Sequence, residues 1–121
     1  MSSALSASHY WQDLNSTDQI DGLIEESKNK PVAIFKHSIR CGISHHVKDR
    51  IESDYDIKPN ELSFYYLDLI TNRPVSNRVA DVLNVPHQSP QLILLKDGDV
   101  VYDASHHMIN LNHIRTHLRE L

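Results

Sequence analysis

The clearest hydrophobic signal is the run Val32-Ala33-Ile34-Phe35, which follows Pro31 and predicts a buried strand. Upstream, Ile20, Leu23 and Ile24 recur at helical spacing behind Ser16 or Thr17, either of which offers an N-cap. Lys28, Asn29 and Lys30 are expected to close that helix with charge suited to its negative end. Tyr10-Trp11-Gln12-Asp13-Leu14 predicts a short opening helix that tucks Trp11 against the domain. Downstream, Ile43, Val47 and Ile51 form a helical stripe from Gly42 onward. Pro59-Asn60 reads as a turn, and Leu62 to Leu67 as a second strand rich in aromatic residues. Asn72 is placed to cap a further helix, with Pro74 in its first turn and Val75, Val79 and Val82 facing inward. Leu92 to Leu95 is a third strand, Asp97-Gly98 a hairpin turn and Val100-Val101-Tyr102 a fourth strand. A last helix is expected from Asn110 to Leu118, with Leu111, Ile114 and Leu118 on its apolar face.

The predicted order is helix, β, α, β, α, β-hairpin, α. Two strands joined by a helix should be parallel. The hairpin then adds two antiparallel strands. The expectation is an α/β fold, a four-stranded mixed sheet flanked by helices on both faces, and that order resembles the thioredoxin-like arrangement.

Composition narrows the chemistry. At 121 residues the chain suits one domain, expected over 9–121, with a small, polar and disordered N-terminus over 1–8. The net charge is −4 with a pI near 6.1, which argues against nucleic acid or an anionic membrane as partner. No apolar run approaches the roughly 18 residues of a membrane span, and the start of the chain does not read as a secretory signal. Three glycines occur, so a Gly-rich phosphate loop is excluded. There is one cysteine, Cys41, which forbids an internal disulfide and any zinc site built on several thiolates. Without disulfides, a cytoplasmic location is expected.

Cys41 falls where the first predicted strand turns into its following helix. Backbone N–H groups and the helix dipole converge at such a point and favour thiolate over thiol. Lys36, His37 and Arg40 precede it and add positive charge. Ser44 stands where a dithiol oxidoreductase carries the second cysteine of C-x-x-C. A hydroxyl there donates a hydrogen bond to a thiolate but cannot resolve a disulfide. Ser89-Pro90 comes just before the third strand, and a Ser–Pro bond adopts cis at modest cost.

The segment Phe35-Lys36-His37-Ser38-Ile39-Arg40-Cys41-Gly42-Ile43-Ser44 resembles the active-site segment of the monothiol bacilliredoxins. Ser89-Pro90-Gln91 with Leu92-Ile93-Leu94-Leu95 resembles that family's cis-proline segment, and the likeness extends over roughly residues 9 to 120. The resemblance implies a thioredoxin-like fold, Cys41 as nucleophile, and Ser89 presenting its backbone to the substrate beside Pro90. It implies removal of bacillithiol from S-thiolated client proteins, with bacillithiol as co-substrate, no tightly bound cofactor and a monomer. Gly42 departs from the proline often found after the nucleophile, and makes Cys41-Gly42-Ile43-Ser44 similar to the CGFS site of monothiol glutaredoxins. The rival readings are therefore a module binding a 2Fe–2S cluster between two chains, and a thioredoxin-like adaptor without exchange activity.

Nine histidines include the pairs His45-His46 and His106-His107, and His113 and His117 four apart on the last helix. The i, i+4 pair has metal-ligand spacing, but no third ligand accompanies it. It is expected to lie on a solvated helix face, and His45 is expected to be exposed one turn beyond Cys41.

Overall fold

The fold is built outward from Val32–His37, a strand in which all six residues are buried. The structure is a computed structural model and describes residues 11–38, 42–58 and 60–121. The expected N-terminal disorder, Ile39, Arg40, Cys41 and Pro59 lie outside the described residues.

Five strands form one sheet: β1 (Trp11–Asp13), β2 (Val32–His37), β3 (Ser63–Asp68), β4 (Gln91–Lys96) and β5 (Asp99–Ser105). Their order across the sheet is β1-β3-β2-β4-β5. β3 runs parallel to β2, from Val32 opposite Ser63 to His37 opposite Asp68. β4 runs antiparallel on the other side, with Lys36 opposite Gln91. The helices are α1 (Asp18–Glu26), α2 (Gly42–Asp54), α3 (Arg73–Leu83) and α4 (Leu111–Glu120), with a 3-10 turn at His106–Met108.

Strand alternation splits the core in two. Val32 and Ile34 face a cluster with Ile20 and Leu23 of α1 and Val75 and Val79 of α3. Ala33 and Phe35 face the opposite cluster, with Val47 and Ile51 of α2 and Leu111 and Ile114 of α4. Each sheet face is thus covered by two helices.

One expected element changes type. Trp11–Asp13 is a strand, not a helix, and pairs in parallel with Phe64, Tyr65 and Tyr66. The sheet accordingly has five strands rather than four. The reason is tertiary: the Trp11 indole stacks on Phe64 with centroids 4.4 Å apart, and the extended backbone completes an edge of β3. Val82, expected to face inward, is 38% exposed, because the inward face of α3 runs from Val75 and Val79 on to Leu83, which packs against the same cluster. α1 ends at Glu26, so Lys28 and Lys30 lie past its end and reach back to Glu25 and Glu26.

Other local signals act as their chemistry suggests. Asp97 and Gly98 both take positive φ (55° and 82°), the pair of conformations that closes a two-residue hairpin. Buried Ser27 receives both turn amides, Asp97 N–H on its carbonyl at 2.7 Å and Gly98 N–H on its hydroxyl at 2.8 Å. Asn110 caps α4 by accepting from His113 N–H at 2.8 Å. Before α3, Asp68 holds the turn, its carboxylate accepting from Ile70 N–H and the Thr71 hydroxyl.

Candidate functional site

The C-terminal end of β2, the first turn of α2 and the N-terminal end of β4 converge at one end of the sheet. Lys36 lies opposite Gln91, which brings Pro90 alongside the end of β2. The Pro90 carbonyl accepts from His106 N–H at 3.1 Å, so the 3-10 turn after β5 joins the same end. α2 packs on that turn from the other side. The Ser89–Pro90 peptide is cis. Pro90 is buried and Ser89 half-buried.

α2 begins at Gly42, the residue that follows Cys41 in the chain. It is 13 residues long and carries no acidic residue in its first turn. Its N-terminal N–H groups and dipole therefore favour negative charge without opposition from a neighbouring carboxylate. A Cβ at Gly42 would meet nothing within 4 Å, so packing does not demand glycine there. Cys41 and Arg40 themselves, and the side chain of Ser44, lie outside the described residues.

Lys36 and His37 part ways, as successive residues of a strand must. His37 is 1% exposed and faces the α2 side. Its ring lies 6.0 Å from Phe35 and 5.5 Å from Tyr66, with His45 of α2 edge-on at 5.9 Å. His45 is exposed as expected, yet its ring reaches this buried layer. Burial first, then Asp68, Glu52 and Asp13, push the Tyr66 hydroxyl up to about 12, so it remains a neutral donor. Lys48, one turn further along α2, holds its ammonium 5.5 Å from the Tyr66 ring and 5.8 Å from Trp11. It pairs with Glu52 at 2.9 Å.

Lys36 points through the opposite face, away from α2. It is 0% exposed. Its ammonium donates to the Ser76 carbonyl at 3.2 Å and meets His87 Nδ1 at 3.3 Å. Burial, and secondarily the Arg73 charge, lower the Lys36 ammonium from 10.5 to about 8. His87 is pushed below its ordinary value by burial, then by Lys36 and Arg73. Sequence reasoning grouped Lys36 with His37 as charge on the cysteine and passed over His87. The one signal for His87 was its place three residues before Pro90, between two prolines.

The C-terminal histidines are not a simple solvated face. His117 stacks on Tyr102 of β5 with centroids 4.0 Å apart, and His113 Nδ1 lies 3.3 Å from the Asn110 amide. No helix among the described residues is long and apolar enough to cross a membrane.

This mixed sheet, with a cis-proline at the entry to β4 beside the C-terminal end of β2, defines a thioredoxin-fold protein. Solved structures agree. The chain matches one described as a candidate oxidoreductase with a thioredoxin fold, at 31% identity and a TM-score of 0.77, over 91% of this chain and 95% of that one. It matches the thioredoxin of Fasciola hepatica at 20% identity and a TM-score of 0.67, over 90% and 97%. The Malassezia sympodialis thioredoxin matches at 16% identity and a TM-score of 0.69, over 90% and 88%. Within that class the sequence model of monothiol bacilliredoxin BrxC matches residues 12–114, and the chain belongs to this family. Fold and family together support a thiol–disulfide redox role.

Proposed function

We infer that the protein removes bacillithiol from protein mixed disulfides in the cytoplasm, using Cys41 alone. The Cys41 thiolate attacks the bacillithiol sulfur of the mixed disulfide. The client sulfur leaves as a thiolate and takes up a proton, and Cys41 now carries the bacillithiol. A second bacillithiol thiolate attacks that small-thiol sulfur, which releases Cys41 and forms bacillithiol disulfide. Each step is an exchange in which one S–S bond forms as another breaks. Electrons balance over the pair: the client sulfur is reduced to a thiol as the second bacillithiol thiol is oxidised into bacillithiol disulfide. Ser89, beside Pro90, presents its backbone to the bound thiol compound.

The observation that carries this reading is the single cysteine of the chain immediately preceding α2 at the end of the sheet that also receives Ser89-Pro90. A lone thiol there retains the small thiol after attack, because no second cysteine exists to expel it. The test is incubation of the reduced protein with oxidised bacillithiol and, separately, with oxidised glutathione, followed by intact mass. A single adduct on Cys41, formed faster from bacillithiol disulfide, is expected. Absence of an adduct while Cys41 still reacts with iodoacetamide refutes the reading. Brown colour and visible absorbance after anaerobic purification would point instead to a bound iron–sulfur cluster.

A further inference from the structure

The segment between α3 and β4, Val85-Pro86-His87-Gln88-Ser89-Pro90, leads into the candidate site. Part of it is clasped locally. Gln91, 3% exposed, donates from its side-chain amide to the Pro86 carbonyl at 3.0 Å and accepts from Gln88 N–H at 3.3 Å. Among the described residues a side-chain hydrogen-bond contact to β2 is given by His87, whose Nδ1 lies 3.3 Å from the Lys36 ammonium and 3.3 Å from the Ser76 hydroxyl. An ammonium only donates, so Nδ1 must accept and the ring proton of the neutral imidazole sits on Nε2. Lys36 is the only charged residue within the otherwise apolar run of β2 before His37, and the strand ends one residue later.

We propose that His87 is a positioning residue: by accepting from Lys36 it latches the Pro86–Gln91 segment, and with it Ser89, onto β2, and protonation of His87 opens the latch. Protonation removes the acceptor and sets an imidazolium against the ammonium of Lys36 from β2 and the guanidinium of Arg73 from α3, both positive. The Ser76 hydroxyl is the neutral neighbour; it donates to the neutral ring and can turn to accept from the charged one, so the difference between the two states rests on Lys36 and Arg73. The latch is therefore closed above the depressed titration of His87 and opens as pH falls through it. The consequence for exchange rests on the function inferred above: Ser89 is held in place for a client only while the latch is closed.

Amide exchange tests the latch directly. The Gln88 protection factor, taken relative to the core amides of Ile34 and Ile93, should be about tenfold higher at pH 7.5 than at pH 5, the worth of one charge-assisted hydrogen bond. Lys36→Met should abolish that difference and return the His87 ring, followed by NMR, toward its ordinary titration near 6.5. His87→Asn offers an acceptor oxygen that does not titrate, so its Gln88 protection should stay high at pH 5. Unchanged wild-type protection across this range, or a His87 titration that ignores Lys36→Met, overturns the proposal. On the reaction, His87→Ala should slow dethiolation of a bacillithiolated protein about tenfold while Cys41 alkylation by iodoacetamide is unchanged. Equal slowing of both refutes a positioning role, since His87 would then act on the thiol itself. If the wild type performs no dethiolation, the functional reading falls and exchange alone decides the latch.

Discussion

Lys36→Met should make this protein more stable at neutral pH. The Lys36 side chain is 0% exposed, and its ammonium is lowered from 10.5 to about 8, mainly by burial. A base whose folded value is depressed destabilises the fold while it is charged. The unfolded chain binds the proton more tightly between about 8 and 10.5, so wild-type stability rises with pH across that window. At 1.36 kcal/mol per unit the full cost at pH 7 is at most about 3 kcal/mol. Methionine has similar length and no charge. It forgoes the bonds to the Ser76 carbonyl and to His87 Nδ1, worth about 1 kcal/mol net each. The expected gain at pH 7 is therefore about 1 kcal/mol, or roughly 0.5 M in urea midpoint for an m near 2 kcal/mol/M. Urea melts of both proteins at pH 7, 9 and 10.5 measure it, and the difference between them cancels the other titrating groups. The advantage of the variant should shrink with each step in pH. A less stable Lys36→Met at pH 7, or a gap that ignores pH, would show that the ammonium is not under the strain of desolvation argued here.

Cys41 alkylation should have a pH midpoint below the free-cysteine value of about 8.5, because the thiol precedes the N-terminus of α2; a midpoint at or above that value defeats the argument. In Ser44→Cys, the new thiol should attack a mixed disulfide formed on Cys41, expel the small thiol and close an internal disulfide, so intact mass shows loss of two hydrogens where the wild type shows an adduct. A variant that keeps its adduct indefinitely would mean that position 44 points away from Cys41. Ser27→Ala removes the hydroxyl that accepts from Gly98 N–H and donates to the Ile24 carbonyl. About 1 to 1.5 kcal/mol should be lost, lowering Tm by about 5 °C, and an unchanged Tm would show that the hairpin does not depend on Ser27.

What the sequence determined by itself is whatever a few neighbouring residues decide. The apolar run at Val32–Phe35, the positive-φ pair Asp97-Gly98 and the cap at Asn110 are local choices of backbone and side chain, and each of these three stands close to where it was expected. The same holds for Cys41 before a helix, since Gly42 opens that helix. Tertiary structure decided what local energetics leave nearly balanced. Trp11–Asp13 is too short to show a period, and it becomes a strand because Phe64–Tyr66, some fifty residues on, supplies both a ladder and a ring to stack on. His117 has a spacing that suits water, and only the approach of α4 to β5 gives it Tyr102. Lys36 and His37 are adjacent and both basic, yet strand alternation sends one to His87 and Ser76 and the other to Tyr66 and His45. Which face receives which residue depends on how β2 docks between β3 and β4. The contact between His87 and Lys36 spans 51 residues of chain, and it arises only when β4 pairs antiparallel with β2.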